Sequence, residues 1–169
     1  MVEFLQQLGQ STGIADFMNS AWGWPIIESL HFVGLSLLVG MIGLFDLRML
    51  GLGKGIPLSA LHKLTPFGIA GYLLNVATGS MFLVTMPDQY VFNPAFHMKL
   101  WFMLFAGINM VAFYSFAFTQ VKATPPLAQV ENKAKVMALV SLACWTLIIL
   151  CGRLITAFRP PAYYWCFWC

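Results

Sequence analysis

Residues 25–45 read PIIESLHFVGLSLLVGMIGLF, an apolar run whose only ionisable side chains are Glu28 and His31. A helix rises 1.5 Å per residue, so this run can cross the ~30 Å hydrocarbon layer of a bilayer. It begins with a proline suited to a first helical turn, just after Trp22 and Trp24, and such aromatic residues favour the membrane interface. The stretch therefore predicts a membrane-spanning helix.

Three more apolar runs of similar length follow. The predicted spans cover about residues 25–45, 65–86, 94–118 and 134–158. Thr65-Pro66 and Asn93-Pro94 each place an N-cap residue before a proline at the first helical position, and Pro125-Pro126 separates the last two spans. The sequence thus predicts an all-α integral membrane four-helix bundle.

Composition supports the membrane class and excludes others. Of the 169 residues, 60% are hydrophobic and 9% are charged, whereas a soluble domain has about 25% charged residues. We expect a transmembrane domain at 22–159, a short outer tail at 160–169, and an interfacial amphipathic helix in 1–21, for which a frayed end is the alternative. The net charge of +3 comes without a basic stripe, so nucleic acid is not an expected partner.

Charge in the loops predicts the orientation. The first and third loops carry the basic residues Arg48, Lys54, Lys63, Lys122, Lys133 and Lys135. The second loop, from Pro87 to Asn93, has only Asp88. The positive-inside rule places the basic loops in the cytoplasm and both termini outside. We therefore expect a multi-pass protein of the bacterial inner membrane, with the lipid bilayer as its immediate surroundings.

Ionisable residues at membrane depth are the candidate functional groups, because they are costly there unless they are paired. The set is Glu28, His31, Lys99 and Arg153, and Thr78 and His97 are expected in the same outer half of the membrane. Two histidines on different helices can hold a haem b iron, with cationic or hydroxyl groups near the propionates. His31 and His97 are the candidate iron ligands, although His97 and Lys99 lie about 200° apart around their helix and cannot both face inward.

Other roles remain open for the same residues. Glu28 is expected to orient His31 or shuttle protons, and Gly34, one turn below, offers a backbone wall for a flat cofactor. The rival for the whole layer is an ion-pair network that joins Glu28 to Lys99 or Arg153. For most of the small residues in the spans, close helix packing is the favoured role.

Three residues near the inner end of the bundle are expected to lie outside the candidate functional layer. His62 is expected to be a solvated loop residue. Asp46 and Arg48 are expected to anchor the first span at the head groups.

The cysteines and methionines suggest copper as an alternative to haem. Cys166 and Cys169, at the C-terminus, allow a disulfide, a soft-metal site or an unstructured tail. Cys144 and Cys151 share one face of the last span, where packing is the favoured role. The ten methionines are scattered through all spans, which is more typical of gap-filling than of copper binding.

Several motifs carry a family resemblance over residues 24–158. They are Glu28-Ser-Leu-His31, Gly43-Leu-Phe-Asp46-Leu-Arg48-Met-Leu-Gly51, Thr78-Gly79, Asn93-Pro-Ala-Phe96-His-Met-Lys99-Leu, Asn109 and Gly152-Arg153. The chain resembles a bacterial family of four-helix membrane proteins without an assigned activity. That family is distantly similar to copper-resistance protein D and to the haem-binding membrane protoporphyrinogen oxidase. The resemblance implies functional roles for His31 and Lys99.

We therefore expect a haem b binding membrane redox or electron-transfer subunit. The alternatives are a copper-handling or transport protein and a non-catalytic accessory subunit of a larger membrane complex. A membrane redox complex or a homo-oligomer is a possible assembly, and the sequence leaves open whether the chain is an enzyme.

Overall fold

The computed structural model describes residues 1–125 and 127–161, and helices are the only regular elements in these ranges. They are α1 (Val2–Ser11), α2 (Ile14–Met18), α3 (Gly23–Met49), α4 (Leu58–His62), α5 (Thr65–Thr85), α6 (Pro87–Val91), α7 (Pro94–Phe116), α8 (Phe118–Ala123) and α9 (Asn132–Leu154). Helices α3, α5, α7 and α9 are long and apolar enough to cross a membrane, α5 with α4 directly before it. The predicted all-α four-helix membrane bundle is confirmed.

The bundle consists of two tightly packed helix pairs. Helix α3 packs along α5 and α7 along α9, and a contact between α3 and α9 joins the pairs. At the α3–α5 crossing, a Cβ added to Gly34 would lie 2.6 Å from Asn75 Nδ2, and one added to Gly71 would lie 2.5 Å from the Gly34 carbonyl oxygen. Helix α5 thus covers Gly34. The predicted packing role is confirmed for Gly71, whereas nothing lies within 4 Å of a Cβ added to Gly40, for which packing was also predicted. The predicted cofactor wall at Gly34 is wrong, because α5 occupies that position.

Loop contacts define two ends of the bundle. The Leu127 amide donates to the Lys54 carbonyl at 3.1 Å, which brings the first and third loops together. Gln6 Nε2 donates to Asp88 Oδ2 at 3.1 Å, which brings the N-terminal segment to the second loop. We call the end with the second loop the outer end and the opposite end the inner end. Because α1 is a formed helix packed on α5, the frayed alternative for this segment is excluded.

Of the two predicted N-cap residues, the structure confirms one and contradicts the other. Asn93 caps α7 as predicted, since its Oδ1 accepts from the Ala95 and Phe96 amides at 3.0 and 3.4 Å. The prediction that Thr65 caps α5 is wrong, because the helix already includes Thr65 and Leu64 precedes it in helical conformation. Helix α4 ends only at His62, so the chain enters α5 almost without leaving the helical region.

The inner end is covered by the first loop. Arg48 is 3% exposed, and its Nε and Nη2 donate to the carbonyls of Ile56 at 2.8 Å and Lys54 at 3.0 Å. Asp46 is 4% exposed and faces Ser141 of α9. The prediction that both residues anchor at the head groups is wrong, because the loop folds back over the end of α3.

His62 also belongs to this packed end. Its ring lies 4.6 Å from that of Phe118 and 6.3 Å from that of Phe45, centroid to centroid, and its Nδ1 lies 3.2 Å from Thr65 Oγ1. The prediction of a solvated loop residue is wrong, because α4 turns His62 toward the aromatic ends of α3, α7 and α8.

Candidate functional site

The candidate site contains a hydrogen bond that joins two spans. His31 Nδ1 on α3 lies 2.7 Å from Thr78 Oγ1 on α5, and Thr78 is 2% exposed. The Thr78 hydroxyl has one proton, which it donates to the Leu74 carbonyl at 2.7 Å. With the hydroxyl proton on the Leu74 carbonyl, the oxygen accepts the Nδ1 proton of His31, and Nε2 of the imidazole keeps its own lone pair. This tautomer is the one that binds a metal through Nε2.

Aromatic side chains fix the His31 ring from the outer side. The Phe82 ring meets it edge-on at 5.6 Å between centroids, and Trp24 packs against Phe82 at 5.0 Å. Gly79 leaves room beside the ring, since a Cβ added there would lie 3.8 Å from His31 Cε1. The imidazole is thus oriented by both helices of the first pair, and it remains partly exposed.

Lys99 brings the second helix pair to the same level. Its Nζ lies 3.8 Å from the position of a Cβ added to Gly152 of α9, so the side chain runs across the α9 backbone. The ammonium group is close enough to interact electrostatically with His31 and with Cys151. Of the six residues expected in the outer half, the structure brings His31, Thr78 and Lys99 close together, and Gly152 is the contribution of α9.

His97 lies elsewhere on α7. It is fully buried, and its Nε2 lies 2.8 Å from the Val91 carbonyl oxygen at the end of α6. A carbonyl oxygen only accepts, so Nε2 carries the proton and has no lone pair for a metal. The structure thus places this nitrogen in the α6–α7 corner and does not offer it to the predicted two-histidine site.

Glu28 and Arg153 lie at the rim of the layer. Both side chains are exposed. Within residues 1–125 and 127–161, no ion pair joins Glu28 to Lys99 or Arg153. The predicted ion-pair network is therefore absent from this part of the chain, and no hydrogen bond joins Glu28 to His31.

Sequence reasoning missed Tyr90 and Arg159 at the outer end. Burial raises the pKa of the Tyr90 phenol, the nearby Arg159 partly offsets this, and Glu28 adds to the rise. The three groups therefore lie close enough to interact above the His31 layer. Arg159 had a signal in the sequence, because a cation just after a span is placed to reach the head-group region.

The structure tests the prediction for one of the two cysteine pairs. Cys144 and Cys151 are buried free thiols, and Cys144 packs with Ala106 and Ile148, which confirms the packing role. Cys166 and Cys169 lie outside the described residues, so the copper and disulfide interpretations stay predictions. Among the residues that the structure does describe, no group of three or more His, Cys, Asp or Glu side chains is arranged to hold a metal ion.

Comparisons with known proteins leave the site to be interpreted from its own geometry. No protein-family profile, curated protein or solved structure matches the chain. The family resemblance stays a prediction.

Proposed function

We propose that the chain is a haem b binding redox subunit of the bacterial inner membrane, with His31 as the axial iron ligand. The observation that carries the proposal is the hydrogen bond between His31 Nδ1 and Thr78 Oγ1, which leaves the Nε2 lone pair for a metal when Nδ1 is the donor. Histidines that bind metals almost always donate their other ring proton to a fixed acceptor. When bound, haem b supplies one-electron transfer.

The proposal assigns one histidine ligand rather than two. His62 lies at the inner end among aromatic rings, and Nε2 of His97 is held by Val91. His31 is therefore the residue to which we assign the iron, and His97 is assigned to the support of the α6–α7 corner.

The cations of the layer fit the carboxylates of a porphyrin. Lys99 lies near His31, and no carboxylate of the described residues is within ion-pair distance of it. An unpaired ammonium group at membrane depth favours an anionic partner. Lys99 and, at the rim, Arg153 would hold the propionates, and the exposed Glu28 would exchange protons with the outer surface.

An absorption spectrum of variants tests the assignment. The protein is purified in mild detergent from cells supplied with a haem precursor, as wild type, His31→Ala and His62→Ala. We expect a Soret band in the wild type and in His62→Ala, because His62 lies at the opposite end of the bundle, and its loss in His31→Ala. An unchanged Soret band in His31→Ala would exclude His31 as the ligand.

A further inference from the structure

The inner half of the bundle holds a buried carboxyl group that the haem proposal does not use. Asp46, on α3, is 4% exposed. The Ser141 side chain of α9 lies close enough to interact with it, whereas Oδ2 is buried and has no hydrogen-bond partner. Fifteen residues separate Asp46 from His31, roughly 22 Å along the helix, so the two groups belong to different levels of the membrane.

Among the residues that the structure describes, no Lys or Arg forms an ion pair with this carboxyl group. Arg48, two residues later, directs its guanidinium to the carbonyls of Ile56 and Lys54. Helix α5 has no charged residue, and α9 has none between Lys135 and Arg153. His62, on the neighbouring helix α4, packs on Phe45 and is hydrogen-bonded to Thr65.

A buried carboxylate without a cation is strongly disfavoured, whereas a neutral carboxylic acid avoids most of that cost. We propose that Asp46 is a proton-binding site in the inner half of the bundle, with the Ser141 hydroxyl as its hydrogen-bond partner. The site binds a proton at neutral pH and keeps it apart from the outer His31 layer. The chain thus has a second membrane-depth group able to accept and release protons.

Infrared spectroscopy detects the bound proton directly. The protein is studied at pH 7 in a detergent without ester groups, so that the carbonyl stretch of a protonated carboxylic acid is not masked. Wild type is compared with Asp46→Asn, which keeps the side-chain shape, and with Asp16→Asn, which changes an exposed aspartate outside the spans. Ser141→Ala removes the hydrogen-bond partner alone.

We expect a carboxylic acid band in the wild type and in Asp16→Asn, and its loss in Asp46→Asn. In Ser141→Ala the band should persist and move to higher frequency, because the carbonyl group loses a hydrogen bond. A folded wild type without the band, or a band of equal intensity in Asp46→Asn, would overturn the proposal. Neither result depends on whether haem is bound, so the two proposals fail independently.

Discussion

At the scale of single residues, the chemistry of His31 depends on the hydroxyl group of Thr78. Its proton goes to the Leu74 carbonyl and its lone pair receives the Nδ1 proton of the imidazole. Thr78 was expected in the outer layer from its depth alone. The hydrogen bond itself needed the rotation of α5 relative to α3, which no pattern in the sequence specifies.

Thr78→Val keeps the shape of the side chain but removes the acceptor of the Nδ1 proton. We expect the affinity for haem b to fall about 10- to 100-fold, the usual effect of losing such a partner. Thr78→Ser, which keeps a hydroxyl group, is the matched control and should bind like the wild type. Titration of the haem-free protein with haem b measures both, and equal affinities of Thr78→Val and wild type would refute the role of the hydroxyl.

His97→Ala tests the separate role of the second histidine. The variant leaves the buried Val91 carbonyl without its donor, so we expect a loss of about 1–3 kcal/mol in the free energy of unfolding. The haem spectrum should remain, because His31 is untouched. Denaturant unfolding in detergent and an absorption spectrum check the two expectations. A stably folded His97→Ala protein without a Soret band would restore His97 as a ligand.

The sequence could not decide between the two inward candidates on α7. His97 and Lys99 lie on nearly opposite faces, so one faces the layer near His31 and the other faces away from it. The choice rests on the Val91 carbonyl, which belongs to the short helix α6. Five-residue helices have too few residues for a periodic pattern, and neither α4 nor α6 was predicted.

At the scale of helices, the crossing of α3 and α5 holds His31 and Thr78 at bonding distance. Gly34 and Gly71 allow the backbones to approach where any Cβ would collide with the other helix. This close approach was predictable from the small residues in both spans. The pair of glycines that meets at the crossing was not predictable, because several glycines in the two spans could have formed it.

Gly71→Ala places a methyl group 2.5 Å from the Gly34 carbonyl oxygen. We expect the free energy of unfolding to fall by about 1–3 kcal/mol, the typical cost of overpacking, and the His31 site to loosen with it. Gly107→Ala is the control, because nothing lies within 4 Å of its added Cβ and alanine favours a helix. Thermal unfolding followed by circular dichroism compares them, and equal stability of the two variants would contradict the close crossing.

The end of the first span depends on loop contacts that a hydrophobic pattern does not contain. The first span was predicted to end near residue 45, yet α3 continues to Met49, since the first loop folds over it and buries Arg48. Asp46 was interpreted as a head-group residue because it lies at the end of the same apolar run. A charge near the end of an apolar run indicates the membrane surface unless tertiary contacts cover it.

At the scale of the whole molecule, four spans place both termini of the bundle at one end, and loop charge predicts that end to be outside. We expect alkaline phosphatase fused after Gln89 to be active and the same enzyme fused after Gly55 to be inactive. Green fluorescent protein at these positions should give the opposite pattern. A reversed pattern for both reporters would invert the predicted orientation.

Depth was the part of the site that the sequence predicted best. The predicted orientation placed His31, Thr78 and Lys99 in the outer half together with Glu28, His97 and Arg153, and the structure brings the first three close together. Rotation about each helix axis was not predictable, so the exposed positions of Glu28 and Arg153 and the proximity of Tyr90 to Arg159 emerged only from the packed structure.

The measurement that tests the haem proposal most directly is the pyridine haemochrome assay on the purified wild-type protein, with protein concentration determined independently. The proposal predicts haem b at about one per chain, because one histidine, His31, is placed to bind it. A haem-replete preparation of folded protein with no haem b would contradict the proposed function.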